Sequence, residues 1–260
     1  MASKYFLMSK QANDAIYDNT NNQIMYPNSK AVYILPVTNL PYYAEHGLFE
    51  RALIEWSKQF CKNDTFLDIG AHTGTYSIAL SPYAKQVYSF EPQKMTYYAL
   101  CGSIALSDTR NITAHNIALG SPDQVGIQTL KIRSPDGGGS SLQSFADPVL
   151  AEENVEVRTL DSYNLTNISF IKMDVEDNEL YVLKGAINTI KQNNHPTIMF
   201  ESNHENKELF SYIVDTLGYS AIMPIHGVHN MYLTERHERN EQNWRHDVIT
   251  NNKAVSYFSW

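Results

Sequence analysis

Two apolar runs of the chain end in acids that could bind a cation or move a proton. Asp174 follows the run Ile168–Met173, and Glu201 follows the run Thr197–Phe200. An acid that closes an apolar strand is costly to desolvate unless it has a partner. Carboxylates at neighbouring strand ends can raise each other's pKa or hold a cation, so the pair predicts a general base or a cation site. His204, shortly after Glu201, is a further candidate for accepting a proton.

A second set of residues indicates a nucleoside pocket. The apolar run around Asp68 leads into a turn with Gly70 and Gly74, and the next apolar run ends in Glu91, roughly 20 residues after Gly70. Glycine allows a sharp turn and a close approach of backbone to ligand. In a parallel α/β sheet, an acid at the position of Glu91 can accept hydrogen bonds from both ribose hydroxyls.

The turn itself favours one cofactor over another. Its Gly-x-x-x-Gly spacing differs from the Gly-x-Gly-x-x-Gly turn that makes room for a pyrophosphate. Asp68, just before the turn, suits a cationic ligand better than a diphosphate. S-adenosylmethionine carries an ammonium, a sulfonium and a ribose but no phosphate, so it is the expected cofactor. His72, inside the turn, is expected to contact the cofactor or the acceptor and not a metal.

Alternating strands and helices must position these residues, and such alternation predicts parallel strands with right-handed crossovers. The predicted strands of this sheet are Thr65–Ile69, Gln86–Phe90, Ile112–Leu119, Ile168–Met173, Thr197–Phe200, Tyr219–Met223 and Met231–Thr234. The predicted helices are Glu45–Phe60, Thr73–Tyr83, Gln93–Leu106, Asn178–Gln192 and Asn206–Leu217.

The remaining pattern predicts additions to this core. Val125–Ile132 and Val155–Leu160 alternate like antiparallel strands. Ser134–Leu142 contains three successive glycines and is interpreted as a mobile loop, either a lid over the site or a plain surface connection. Ala31–Pro36 and Ala254–Phe258 are further candidate strands.

The expected domain organisation has three parts. Residues 1–60 form an N-terminal extension with the first helix, and residues 61–225 form the cofactor-binding core with an inserted hairpin or lid at about 122–160. Residues 226–260 form a C-terminal strand and arm that complete the same domain. His226 and His229 fall in this last part and are interpreted as loop residues, because two histidines alone are weak evidence for a metal.

Composition narrows the class of protein. The 260-residue chain has a formal charge of -8 and a pI near 5.6, which argues against a nucleic-acid partner. No apolar run of about 18 residues is present, so no membrane span is expected. Cys61 and Cys101 are the only cysteines and no secretory signal is visible, which favours a reducing, cytoplasmic location. Oligomeric state has no signal in the sequence.

Taken together, the motifs resemble the FkbM-type S-adenosylmethionine-dependent O-methyltransferases over roughly residues 63–220. The most specific block is Lys172-Met173-Asp174-Val175-Glu176-Asp177-Asn178-Glu179 with Val182-Leu183-Lys184-Gly185. The other blocks are Asp68-Ile69-Gly70-Ala71-His72-Thr73-Gly74, Phe90-Glu91-Pro92, Asn116-Ile117-Ala118-Leu119, Ser140-Ser141-Leu142 and Thr159-Leu160-Asp161. The chain departs from the family's pattern at two positions. The family often has Asn where this chain has His72, and usually has Gly where this chain has Asp177.

The resemblance implies a Rossmann-like α/β fold: a seven-stranded, mostly parallel sheet with the last strand antiparallel and helices on both faces. It implies methylation of a hydroxyl, often on a sugar or a polyketide-like product. Glu91 would hold the ribose, Asn116 and Ala118 would lie near adenine, and Asp174 would face the methyl group or the acceptor. The full set of expected cofactor-binding residues is Asp68, Gly70, Ala71, His72, Gly74, Glu91, Pro92, Asn116, Ala118 and Asp174.

The leading hypothesis is therefore in-line transfer of a methyl group from S-adenosylmethionine to a hydroxyl of a sugar or glycan. The proton would be taken by Asp174, Glu201 or His204, or a divalent cation held by Asp174 and Glu201 would lower the pKa of the hydroxyl. Two other classes stay open: a nicotinamide-dependent oxidoreductase on a similar sheet, and a non-catalytic relative that binds a glycan.

Overall fold

The structure is a computed structural model that describes residues 5–10, 31–144, 148–202, 206–225, 228 and 230–235. Its strands are β1 (Tyr5–Lys10), β2 (Ala31–Pro36), β3 (Thr65–Ile69), β4 (Gln86–Phe90), β5 (Ile112–His115), β6 (Ala118–Leu119), β7 (Gly126–Ile132), β8 (Ala151–Arg158), β9 (Ile168–Met173), β10 (Thr197–Glu201), β11 (Ala221–Pro224) and β12 (Met231–Glu235). Its α-helices are α1 (Leu40–His46), α2 (Arg51–Cys61), α3 (Thr75–Leu80), α4 (Lys94–Leu106), α5 (Glu179–Lys184), α6 (Ile187–Gln192) and α7 (Lys207–Ser211).

A seven-stranded sheet in the order β11-β12-β10-β9-β3-β4-β5 forms the centre of the molecule. The pairs from β10 to β5 are parallel, and β12 is antiparallel to both β10 and β11. Every residue of β3 and β9 is buried, because helices cover both faces. Phe66 packs into the core on one face, and Leu67 and Ile69 pack into the core on the other. The predicted fold class is confirmed.

The predicted strand Ile112–Leu119 is wrong in one respect, since it is two strands in different sheets. β5 ends the central sheet, whereas β6 pairs with β8 in a three-stranded sheet. Between them, Nδ2 of Asn116 donates to the carbonyls of Glu91 and Pro92, both at 2.9 Å. These bonds hold the chain where it leaves the central sheet. Within the smaller sheet β7 and β8 pair antiparallel, as the alternation predicts.

Three predicted helices are each divided in the structure. The prediction Glu45–Phe60 becomes α1 and α2, because Gly47 (φ +79°) and Glu50 (φ +53°) both have a positive φ, which is incompatible with a right-handed helix. The prediction Asn178–Gln192 becomes α5 and α6, with Gly185 at the break. A Cβ at Gly185 would lie 2.1 Å from the carbonyl oxygen of Gly120, so the break accompanies a close backbone contact. The predicted helix 206–217 becomes α7 and a π-helical turn at Tyr212–Thr216.

The N-terminal strands bring a further segment of chain to the site. β1 and β2 form an antiparallel pair. The backbone N–H of Ile34 donates to the hydroxyl of Ser103 on α4, and that of Val32 donates to the hydroxyl of Ser107, directly after α4. The segment that follows β2 then passes over the carboxyl ends of the central strands. The predicted strand Ala254–Phe258 lies outside the described residues. None of the helices in the described ranges has the length and apolar character needed to cross a bilayer.

Candidate cofactor and acceptor site

A cavity of about 330 Å³ lies at the carboxyl ends of β3, β4 and β9. This edge is where ligands bind in open α/β sheets. The expected cofactor-binding residues that line it are Gly70, Ala71, His72, Glu91, Pro92, Ala118 and Asp174. Three expected residues do not line the cavity but contact residues that do. Asp68 lies beside Lys172, the backbone N–H of Gly74 donates to the carbonyl of Ala71, and Asn116 donates to the carbonyls of Glu91 and Pro92.

Gly70 is the point at which the carboxyl end of β3 contacts the carboxyl end of β9. Its φ is +75°, and a Cβ there would lie 1.7 Å from the carbonyl oxygen of Asp174. The backbone N–H of Asp174 donates to the carbonyl of Ile69 at 3.0 Å. Only glycine fits this contact, which places the cofactor turn directly against Asp174. Gly74 (φ +89°) has a packing role instead, since a Cβ there would lie 2.5 Å from Leu100 Cδ1.

Glu91 is buried and fixed in one orientation. Its Oε2 accepts the backbone N–H of His72 at 2.9 Å, and its Oε1 accepts that of Gln93 at 2.9 Å. Burial raises the pKa of Glu91 to about 7, although these two hydrogen bonds lower it. Each carboxylate oxygen can accept more than one hydrogen bond, so Glu91 retains acceptor capacity for a ligand.

Asp68 acts through Lys172, a residue that the sequence reasoning did not single out. Asp68 is fully buried, accepts the Ser77 hydroxyl at 2.5 Å, and has Oδ1 4.0 Å from Lys172 Nζ. Lys172 Nζ donates to the carbonyl of Gly70 at 3.0 Å and to Asp174 Oδ2 at 3.3 Å. The available signal was a lysine inside an apolar strand, two residues before Asp174 and therefore on the same face.

The charge of Lys172 is maintained by its neighbours. Burial lowers the pKa of Lys172, but the carboxylates of Asp174 and Asp68 raise it above the ordinary lysine value. Lys172 also lies 5.4 Å from the ring centroid of Tyr76, within the range of a cation–π contact. The cavity therefore contains a permanent positive charge beside its acids.

The structure brings Asp174 and Glu201 together at neighbouring strand ends. Burial and the nearby Asp174 carboxylate raise the pKa of Glu201 to about 9, so Glu201 carries a proton at neutral pH and hydrogen-bonds Asp174. Burial also raises the pKa of Asp174, but Lys172 and this hydrogen bond bring it below the ordinary value. Asp174 is therefore the ionised member of the pair. Glu201 is not among the cavity-lining residues, and His204 lies outside the described residues.

A third acid joins this pair. One carboxylate oxygen from each of Asp174, Glu176 and Glu201 lies within 4.8 Å of the other two. Burial, together with Asp174, raises the pKa of Glu176 to about 7. These oxygens are of the type that Mg²⁺ prefers. His226 and His229 lie outside the described residues.

The glycine-rich loop lies over the cavity. Nε2 of His72 is 2.8 Å from the carbonyl oxygen of Asp136, and Asp136 Oδ2 accepts Asn39 Nδ2 at 2.9 Å. The Ser141 hydroxyl donates to the carbonyl of Glu176 at 2.5 Å. The loop residues that line the cavity are Asp136, Gly137, Gly138, Ser140 and Leu142. His72 thus contacts the loop, and burial lowers its pKa, which favours the neutral ring.

The sequence reasoning also missed a wall of the cavity, most of which comes from before the first core strand. Tyr43, Phe49, Glu50 and Tyr76 line it. The Tyr76 hydroxyl donates to Glu50 Oε2 at 2.8 Å. Three of these residues lie outside the motif-bearing segment, so no local pattern indicated them.

Comparisons with known proteins support one family. The family described as "Methyltransferase FkbM domain" matches residues 68–240. Among solved structures, the chain is similar to the methyltransferase FkbM from Methylobacillus flagellatus KT, with 23% identity, a TM-score of 0.48, and coverage of 66% of this chain and 43% of that one. The chain thus spans less than half the length of that relative. No curated protein matches.

Two other solved structures that resemble the chain are described as an rRNA methylase and a ribosomal protein L11 methylase. One is an rRNA methylase from Streptococcus thermophilus, with 10% identity, a TM-score of 0.46, and coverage of 73% of this chain and 98% of that one. Another is a ribosomal protein L11 methylase from Lactobacillus delbrueckii subsp. bulgaricus, with 12% identity, a TM-score of 0.43, and coverage of 71% and 76%.

Proposed function

Because the chain belongs to the FkbM methyltransferase family, we propose that it transfers a methyl group from S-adenosylmethionine to a hydroxyl of a sugar or glycan. The observation that carries this proposal is Glu91, held at the cavity by two backbone N–H groups with acceptor capacity to spare. Such a carboxylate suits a ribose with two hydroxyls.

The cavity also fits the charge of S-adenosylmethionine. Its lining carboxylates belong to Glu50, Glu91, Asp136, Asp174 and Glu176, and Lys172 is the only lysine or arginine among the lining residues. This excess of acids favours a sulfonium ligand over one that carries a diphosphate. A volume of about 330 Å³ is at the lower end of the range for small-molecule sites, which suits a ligand of nucleoside size.

Bound S-adenosylmethionine would supply an electrophilic methyl group, and the side chains would handle the proton of the acceptor. Asp174 lines the cavity and is ionised, so we assign it as the group that accepts a hydrogen bond and then the proton from the acceptor hydroxyl. Glu201 would stabilise the Asp174 carboxylate by its hydrogen bond. His204 stays a candidate for the same proton.

A divalent cation is the alternative to a direct base. The oxygens of Asp174, Glu176 and Glu201 are close enough to share one ion, which would lower the pKa of a bound hydroxyl. Glu201 would have to lose its proton first, so such binding would strengthen as the pH rises.

A carbohydrate acceptor is supported by the wall built from the N-terminal segment. Tyr43 and Phe49 line the cavity, and their ring centroids lie 4.9 Å apart. Aromatic side chains provide apolar surface for the faces of sugar rings, while the nearby carboxylates can accept hydrogen bonds from hydroxyls.

Isothermal titration with S-adenosylhomocysteine tests the proposal, with NAD as the control ligand and with Mg²⁺ present or chelated. Micromolar binding of S-adenosylhomocysteine alone is expected, followed by methyl transfer in a screen of sugar acceptors. Activity that disappears with chelator and returns with Mg²⁺ would favour the cation over the direct base. Binding of NAD instead, or of neither ligand, would contradict the proposal.

A further inference from the structure

Glu50, Tyr76 and Lys172 line the cavity together: the Tyr76 hydroxyl donates to Glu50, and Lys172 Nζ lies 5.4 Å from the Tyr76 ring centroid. Along the edge of the sheet, Ile117–Leu119 follow β5, Glu91 follows β4, and Lys172 belongs to β9. β3 lies between β4 and β9, which places β9 about 10 Å from β4 at the usual strand spacing. On the proposed function, a nucleoside with its adenine near Ile117–Leu119 and its ribose on Glu91 must extend its remaining part toward Lys172 and Glu50.

That remaining part is an amino acid with one ammonium and one carboxylate. Glu50 supplies an acid there that is oriented in advance, because the Tyr76 hydroxyl donates to its Oε2 at 2.8 Å. Because the Tyr76 hydroxyl binds Oε2, the other oxygen, Oε1, retains acceptor capacity for a ligand. Glu50 has a left-handed backbone conformation (φ +53°) at the start of α2, which is unusual for a side chain with a Cβ.

The charges around Glu50 favour a cationic ligand group at its carboxylate. Lys172 is surrounded by the carboxylates of Asp68 and Asp174, both within 4.0 Å of its Nζ, so its charge is already balanced. Burial, followed by repulsion from Asp174, raises the pKa of Glu50 above its ordinary value. A positive ligand group at Glu50 would relieve that repulsion.

We propose that Glu50 binds the α-ammonium of the amino-acid end of S-adenosylmethionine, with Tyr76 as the positioning residue that orients it. This assignment rests on the proposed function and adds a binding residue from a segment that lies outside the matched family region. It makes Glu50 a determinant of which S-adenosyl compounds bind.

Three nucleosides separate this role from a merely structural one. S-adenosylhomocysteine carries the ammonium, its deaminated analogue lacks only the ammonium, and 5′-methylthioadenosine lacks the whole amino-acid end. A charge-assisted hydrogen bond makes Glu50→Gln bind S-adenosylhomocysteine about 10- to 100-fold more weakly than the wild type. Binding of the other two nucleosides stays at the wild-type level, which also shows that the variant is folded.

Two further variants complete the experiment. Tyr76→Phe keeps the ring but removes the hydroxyl, so it weakens S-adenosylhomocysteine binding by about 2- to 10-fold. Glu55→Gln, a half-exposed acid on the same helix and outside the cavity lining, leaves all three affinities unchanged.

The results distinguish the two proposals. If Glu50→Gln binds S-adenosylhomocysteine as tightly as the wild type does, or loses all three nucleosides equally, the assignment of Glu50 is overturned while the cofactor assignment stands. If the wild-type protein binds none of the three, the proposed function fails and the assignment fails with it.

Discussion

The Nζ of Lys172 lies 3.3 Å from Oδ2 of Asp174. Asp174 follows Lys172 by two residues, so both side chains lie on the same face of the sheet. This contact sets the charge at the centre of the site. Lys172 keeps Asp174 ionised in spite of burial, and Glu201 takes the shared proton instead. On the proposed function, the group that faces the cavity is therefore the one assigned to accept the proton of the acceptor hydroxyl.

Replacing Asp174 with Asn is expected to lower turnover by about 10²- to 10⁴-fold, because a proton acceptor is lost. Binding of S-adenosylhomocysteine should remain largely intact, since Asn preserves the shape of the side chain. Methyl transfer and titration calorimetry would measure the two effects. Asp177→Asn removes the same charge outside the cavity lining and should retain activity. Full activity of Asp174→Asn would exclude the assigned role.

Replacing Gly70 with Ala is expected to remove cofactor binding and lower the free energy of unfolding by about 3 kcal/mol or more. The new Cβ would lie 1.7 Å from the carbonyl oxygen of Asp174, so the turn or β9 must move. Gly47→Ala is the matched control, because Gly47 has a similar φ of +79° but no atom within 4 Å of the new Cβ. The control should lose only about 1–3 kcal/mol, which is the cost of a strained backbone without a steric clash. Equal losses in chemical denaturation would show that the close contact is unimportant.

Replacing Gly137 with Ala is expected to loosen the glycine-rich loop and speed the release of S-adenosylhomocysteine by about tenfold. Its Cβ would lie 2.5 Å from Gln93 Oε1 and 2.9 Å from Thr96 Oγ1. Surface plasmon resonance would measure the dissociation rate. Gly139→Ala is the control and should behave like the wild type, because the atom nearest to its new Cβ, Cβ of Arg133, would lie 3.8 Å away. An unchanged rate for Gly137→Ala would argue that the loop does not cover the bound ligand.

The affinity for S-adenosylhomocysteine is expected to rise as the pH increases toward about 7 and then to level off. The pKa of Glu91 in the folded protein is raised to about 7, so below this pH the ligand must displace a proton before both oxygens can accept ribose hydroxyls. A single proton lost on binding gives about a tenfold change in affinity per pH unit in that range. Glu91→Gln should bind weakly with a flatter profile. A wild-type profile without a bend near pH 7 would contradict this role of Glu91.

The sequence by itself determined the central strands and the glycine turn that follows β3. Thr65–Ile69, Gln86–Phe90 and Ile168–Met173 have the predicted bounds, because short apolar runs flanked by polar residues and turns leave few alternatives. Gly70 and Glu91 were likewise found from local patterns, since the turn and the strand ends that position them lie close together in the sequence. The family followed from the same local motifs.

Tertiary structure decided what depends on segments that are distant in sequence. The break at Gly185 accompanies contact with Gly120, and the orientation of Glu50 depends on Tyr76. The contact of Lys172 with Asp174 is local in the chain, but its contact with Asp68 forms only when β3 lies beside β9. A helix pattern or a lone acid carries no information about such partners, because burial and hydrogen bonding between remote segments arise only when the sheet is assembled.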